Sequence, residues 1–511
     1  MLTALLAVFR VHPLSLSTSQ LKATASRYGA RWRLRTELGR FLRGATWNLL
    51  GTVVGQGLSY FASLLCARML GREQFGQVGI ILTTVNLFTS VAGFGMGVAA
   101  TKLVAEVGSQ KPERARYLAF FAIRVTLVLG LGFGAVQAIA SPFIARRFLG
   151  DPSLAMPLAL SGLIVLTSAV NGTQVAILNG YEAFRQAASV TILRGAVTVP
   201  SVLIMAHAWG VTGVVAGYAV AGVVAAVLLQ RGVRIYSGPP SPLEESDRRQ
   251  RRRLVRLGGA VVAASMLPVP VAWWTNTFFA RKAGFAEYGA YAAANQVVLI
   301  AQLVTSAMSA TFLPLLASSL GKDGASGLRR GIVRLGSAHF LATLMMTLCI
   351  ALLAPMITRL YGPSFRGTDA VLILLVASLP FVSLNGTMGH VLWVQEASRL
   401  AIGLSLVRAA LQLVMVIWLA PFGARGFAMA QTASAALVLL TCAPIVWRRL
   451  PHSDLQSADQ NPIAAYAESD SLRTMGLRQG IVDDLSPQSL GANTATTSMK
   501  TEIALPAHRF Q

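Results

Sequence analysis

Apolar runs of about 20 residues recur from near position 46 to near position 447, and nothing else in this chain restricts its fold so strongly. A helix of that length rises about 30 Å, the thickness of a bilayer's hydrocarbon core. Of the 511 residues 54% are hydrophobic and only 13% charged, too few charges to keep such runs in water. The chain therefore reads as an all-α polytopic membrane protein. At one span per run there are twelve, at 46–66, 78–99, 117–138, 154–177, 187–206 and 211–229, then 257–279, 291–316, 336–355, 371–394, 401–420 and 426–447. The stretch "RGVRIYSGPPSPLEESDRRQRRR" separates the first six from the last six.

A net charge of +24 would suit a nucleic-acid binder if it formed one patch, but the basic residues fall in short clusters between apolar runs. They lie before the first span (Arg31, Arg33, Arg35, Arg40), at 102–116, 231–256 and 322–334, and at Arg448 and Arg449. In a twelve-span topology all of these share one side, which the positive-inside rule makes cytoplasmic, with both termini inside. Arg146, Arg147, Arg281, Lys282, Arg359 and Arg366 fall on the other side, so the bias is one of majority. No nucleic-acid partner is expected. The expected organisation is a basic cytoplasmic extension (1–45), an N-terminal six-helix half (46–230), a basic cytoplasmic linker (231–256), a C-terminal six-helix half (257–449) and a polar, disordered cytoplasmic tail (450–511). The three cysteines, Cys66, Cys349 and Cys442, sit in apolar runs as small buried hydrophobes.

The halves resemble each other. "NGTQVAILNGYEAFRQAASVTILR" from Asn171 matches "NGTMGHVLWVQEASRLAIGLSLVR" from Asn385 at nine of twenty-four positions, pairing Asn171 with Asn385, Glu182 with Glu396, Arg185 with Arg399 and Arg194 with Arg408. "CARMLGREQFGQVG" and "FARKAGFAEYGAYA" likewise pair Arg68 with Arg281, Gly71 with Gly284 and Gly76 with Gly289. Copies six spans apart keep the same orientation, so the expected repeat is parallel, about an axis along the membrane normal, with a central cavity between the halves.

The segment "RMLGREQFGQVGIILTTVNLFTSVAGFGMGVAATKLVAE" resembles the opening of the polysaccharide flippases in the multidrug/oligosaccharidyl-lipid/polysaccharide exporter superfamily. The resemblance rests on Leu70, Gly71, Glu73, Phe75, Gly76, Lys102, Ala105 and Glu106, and extends over the twelve spans. It implies an inner-membrane transporter that moves undecaprenyl-pyrophosphate-linked oligosaccharide repeat units to the periplasmic face by alternating access, for exopolysaccharide or O-antigen assembly. The implied partners are that lipid-linked substrate, membrane lipids, and the polysaccharide polymerase and export machinery.

Arg194 and Arg408 lie inside apolar runs at equal depth from the cytoplasmic edge, and Arg124 at a similar one. An arginine at mid-span costs about 2.5–3.5 kcal/mol on insertion scales. Two readings stand side by side: the side chains snorkel to the headgroups, or they face the cavity as anion contacts. A guanidinium binds phosphate through paired hydrogen bonds and keeps its charge in a low dielectric, which suits a pyrophosphate. Glu73, Glu106, Asp151, Glu182, Glu287, Asp369 and Glu396 all fall at span ends or in loops. A cation-coupled multidrug exporter of the same superfamily, the alternative reading, would be expected to carry an acid in mid-span. A membrane-embedded enzyme of polysaccharide assembly would need acid and base groups converging in a large loop, and no loop offers them. The reading is a transporter, not an enzyme.

Asn48, Gln56 and Tyr60, and in the second half Trp273 and Asn276, fall on shared helical faces and are candidate cavity-lining residues. Gln137, Asn295, Gln296, Gln302 and Gln412 read as helix–helix contacts. Pro268 and Pro270 are the expected hinge of the seventh span. "GFGMG" (93–97) lies in an apolar run with no strand before it, so it reads as close helix packing; there is no Walker-type loop, no metal-ligand spacing, and no expected cofactor or metal.

Overall fold

Every regular element of the computed structural model is a helix among the residues it describes, 18–93, 95–108, 111–238, 248–265, 268–309, 312–394 and 398–448. The helices are α1 (Thr18–Ala92), α2 (Met96–Gly108), α3 (Pro112–Phe143), α4 (Ala155–Leu160), α5 (Gly162–Gly180), α6 (Phe184–Ser237) and α7 (Arg248–Ser265). Then follow α8 (Pro268–Ala283), α9 (Phe285–Ser309), α10 (Phe312–Leu360), α11 (Asp369–Val376), α12 (Leu379–Val394), α13 (Ser398–Leu419) and α14 (Gly423–Arg448). The expected tail at 450–511, the first 17 residues of the basic extension and Glu396 lie outside the described residues.

Among the described residues seven segments are long and apolar enough to cross a membrane, and three of them, Thr46–Ala92, Phe184–Ser237 and Gly403–Ile445, run to 47, 54 and 43 residues, about twice a bilayer's need. Each of the three contains a glycine at positive φ: Gly71 (76°), Gly210 (53°) and Gly423 (63°). At Gly210 the chain doubles back so tightly that a β-carbon on Gly213 would meet the Met205 carbonyl and one on Gly217 would press on Val202. Gly423 makes the same kind of turn, with Gly426 against the Leu419 carbonyl. Only glycine takes this backbone without strain. The runs expected as separate spans at 187–206 and 211–229 are thus two limbs of one element, because the turn between them leaves no loop.

Within α1–α6 the helices close on small residues, as association in lipid requires. Gly51 of α1 packs on Ala188 of α6, Gly55 on Thr191, and Gly195 on Gly55 and Leu58. Asn171 on α5 donates to the Gly222 carbonyl on α6 at 3.0 Å. Asn385 on α12 donates to the Ala435 carbonyl on α14 at the same distance, 3.0 Å.

α1 crosses α9 backbone to backbone: a β-carbon on Gly76 would collide with the Phe285 carbonyl, and one on Gly289 with the Arg72 carbonyl. Around this crossing the turns of the two helix groups gather into a closed end. Arg72 donates to Glu287 at 2.6 Å and to the Ala286 carbonyl at 2.7 Å, and the other Glu287 oxygen accepts from the Ala424 amide at 2.8 Å. Arg281 donates to the Arg147 carbonyl, and Phe75 meets Phe365 edge-on at 5.9 Å.

Several sequence expectations change. Pro268 and Pro270, the expected hinge, are the first and third residues described in α8, and residues 266 and 267 before them lie outside the described residues. The prolines inside helices are Pro142, Pro200, Pro355 and Pro444. "GFGMG" falls at the break between α1 and α2, with Gly95 at φ 56°, rather than within a helix. Cys66 and Cys442 are buried, but Cys349 is exposed, next to the outward-facing Leu348.

Candidate functional site

Arg194 sits on the first limb of α6, between Thr191 and Gly195, which both pack on α1. That close approach holds the backbone while the guanidinium itself stays exposed. It lies near the Tyr218 hydroxyl on the second limb of the same element, brought opposite by the Gly210 turn. Tyr218 lies close to Ser63 on α1. Ser63 in turn accepts from the Gln296 amide of α9 at 2.5 Å, and Gln296 accepts from the Tyr361 hydroxyl at 3.4 Å. Tyr60 stands between, within electrostatic range of both Tyr218 and Tyr361. One polar chain therefore runs from Arg194 across the seam between the two helix groups.

Gln296→Leu breaks this chain at its crossing point and leaves Ser63, which is buried, without its partner. The expected cost is about 1–3 kcal/mol, read as a lower midpoint of thermal unfolding in detergent. An unchanged midpoint would mean that the seam does not depend on this bond.

Of the candidate residues, Gln56 and Asn48 lie on the stretch of α1 that packs along α6, with Gln56 exposed and Asn48 half-buried. Tyr60 belongs to the polar chain itself. Trp273 does not: its indole donates to Thr84 on α1 at 3.1 Å and its ring tilts against Phe148 at 5.3 Å, so it fastens α8 to α1. Asn276 donates back to the Ala272 carbonyl of its own helix at 2.6 Å. Arg124 shares its face of α3 with Leu127, Val128 and Leu131, which are 48%, 68% and 61% exposed. An arginine in an outward apolar row is placed to snorkel rather than to meet Arg194.

Arg408 on α13 lines a different recess, a cavity of about 160 Å³ walled by α9 and by residues from Leu375 of α11 to Ala435 of α14. No described residue of α1–α6, Arg194 included, is among those that line it. Asn295, Gln302 and Gln412 belong to this wall, together with Gln431 and Ser434. Sequence reading had given the first three to helix packing and had not singled out the last two, nor Ser63 and Tyr218. A signal was present: Tyr291, Asn295, Val298 and Gln302 recur every three or four residues on one face of α9, as Arg408 and Gln412 do on α13.

Comparison with known proteins places this geometry. Residues 41–320 match the model of the family described as polysaccharide biosynthesis protein. Stage V sporulation protein B of Bacillus subtilis (strain 168) is 27% identical over 142 residues, which is 28% of this chain and 27% of that protein. The match thus spans about a quarter of that relative's length. A multidrug resistance MATE family transporter of the MOP superfamily, solved in an inward-facing conformation, superposes with a TM-score of 0.64 at 15% identity, over 78% of this chain and 98% of that one. A MOP superfamily transporter from Pyrococcus furiosus, described as having a binding pocket of reverse polarity, gives 0.58 at 15% identity over 80% and 95%. An outward-facing MATE structure gives 0.58 at 17% identity over 80% and 95%. The chain belongs to the polysaccharide biosynthesis protein family, a group of multi-pass membrane proteins resembling the polysaccharide flippases, and has the helical fold of MOP-superfamily transporters.

Proposed function

We propose that this protein is a flippase that carries undecaprenyl-pyrophosphate-linked oligosaccharide repeat units across the inner membrane by alternating access, for exopolysaccharide or O-antigen assembly. Its twelve passes form two six-helix halves, with both termini in the cytoplasm. The observation that carries the reading is Arg194: a charge inside an apolar helix, within electrostatic range of the Tyr218 hydroxyl, while Glu73, Glu106, Asp151, Glu182, Glu287 and Asp369 sit at helix ends or turns. Such a site attracts an anion and repels a cationic drug.

Two further facts favour it. The matched hydrogen bonds of Asn171 and Asn385, and the meeting of the matched glycines Gly76 and Gly289 at one crossing, are what a pseudo-two-fold repeat would produce. The closed end formed by Arg72, Glu287 and the glycine turns would be periplasmic, since the basic loops belong to the other end.

The chemistry then follows from charge and geometry. The diphosphate enters beside Arg194, whose guanidinium offers paired donors to its oxygens. Sugar hydroxyls meet Gln56, Asn48 and Tyr60. Closing the cytoplasmic side while the Arg72–Glu287 end separates would release the headgroup outward. The pair is half exposed to water, so it holds that end by no more than about 1 kcal/mol, weak enough to open in each cycle.

Deleting the chromosomal copy tests the reading. Lipid-linked repeat units are expected to accumulate on the cytoplasmic face and surface polysaccharide to fall. Unchanged polysaccharide with altered drug tolerance would favour the multidrug exporter.

A further inference from the structure

We infer that the recess around Arg408 is a binding site for a small inorganic anion, separate from the space at Arg194 given to the lipid diphosphate. Three observations lead there. First, the lining is chemically one-sided: Arg408 is joined by Asn295, Gln302, Gln412, Gln431 and Ser434, with no carboxylate among the wall residues. Carboxamides and hydroxyls can turn N–H or O–H groups toward a ligand, and the guanidinium can only donate, so the assembled surface is a donor cage. A metal cation would face the fixed positive charge with no acid to offset it.

Second, Arg408 makes no ion pair or hydrogen bond with another described residue. Glu287, the acid near the start of α9, is not among the lining residues and is held by Arg72 and the Ala424 amide. A charge in a membrane helix is ordinarily paired, and here a ligand is left to pair it.

Third, the size selects. The cavity of about 160 Å³ has room for roughly five waters at ~30 Å³ each, enough for a chloride or phosphate ion with part of its hydration shell. Arg408 is the single charged residue of the lining, which suits one small anion. Because α9 both walls this recess and crosses α1 at Gly289, an anion here would brace the helix that forms the seam.

The test uses the full chain in nanodiscs of zwitterionic lipid, with no lipid-linked oligosaccharide present. Thermal unfolding is followed while sodium gluconate is exchanged for sodium chloride, or in a second arm for sodium phosphate, at constant ionic strength. At about a hundred times Kd a saturable rise of ~3 °C or more is expected with at least one small anion. Arg408→Gln should abolish that rise, whereas Arg124→Gln, on its outward apolar row, should retain it. If Arg408→Gln does not fold, Arg408→Lys is read instead and should weaken the apparent affinity at least about tenfold. No saturable rise with either ion, or one that persists in the Arg408 variant, overturns the site. Since no lipid substrate enters the assay, its failure leaves the flippase reading untouched, and loss of that reading would leave this site standing.

Discussion

Arg194→Gln is expected to slow translocation of a diphosphate-linked substrate by about 10- to 130-fold. Hydrogen bonds to a charged group are worth about 1.5–3 kcal/mol, and each 1.4 kcal/mol is a factor of ten. Arg194→Lys keeps the charge but loses the two-pronged geometry, so it should fall between parent and glutamine. The measurement is the amount of lipid-linked repeat unit retained on the cytoplasmic face in cells whose only copy is the variant, set against exported polymer. Arg124→Gln is the internal control: its outward apolar row predicts transport within about twofold of the parent. Equal export from the Arg194→Gln strain and the parent would remove the guanidinium from the substrate path.

The second large effect is expected at the crossing of α1 and α9. Gly289→Val puts three carbons where the Arg72 carbonyl already stands, and two backbones must part to admit them. Overpacking of this kind costs about 1–3 kcal/mol even where side chains can give way, and here only backbone can. Thermal unfolding should come earlier, and a cysteine-labelling reagent added from the periplasmic side should reach positions near Gly71 that the parent shields. Gly57→Ala is the matching control, because nothing lies within 4 Å of a β-carbon there; it should be neutral or stabilising by about 0.5–1 kcal/mol. If Gly289→Val unfolds with the parent's midpoint and labels no faster, the crossing is not the tight seam described.

Much of the fold was readable because lipid imposes a length on every apolar run. The helices, the inward depth of Arg194 and Arg408 and the pairing of Gly76 with Gly289 all stand in the sequence. What did not was whatever depends on how two helices face each other. Arg194 and Arg408 match at the level of residues, yet Arg194 lies within electrostatic range of Tyr218 while Arg408 lines a recess with Gln431. Trp273 looked like a cavity ring because its helical face was polar; Thr84, which holds it, lies 189 positions away and carries no mark of that contact. Gln302 and Gln412 were assigned to packing since a glutamine that bridges helices and one that lines a cavity have the same sequence spacing.

The Gly210 turn also bears on how the chain enters the membrane. In the limb bearing Arg194 the arginine costs about +2.5 to +3.5 kcal/mol, which roughly cancels the gain from that limb's own valines, isoleucines and leucines and leaves its insertion marginal. Its hairpin partner, joined without a loop, carries nine valines and leucines between positions 211 and 229, together worth about −3 to −5 kcal/mol on the same scale. The two limbs are short of any tether that would let one wait in water while the other partitions. They are therefore expected to leave the translocation channel as a unit, with the second limb drawing the arginine of the first into the bilayer, and Gly423 gives Arg408 the same escort.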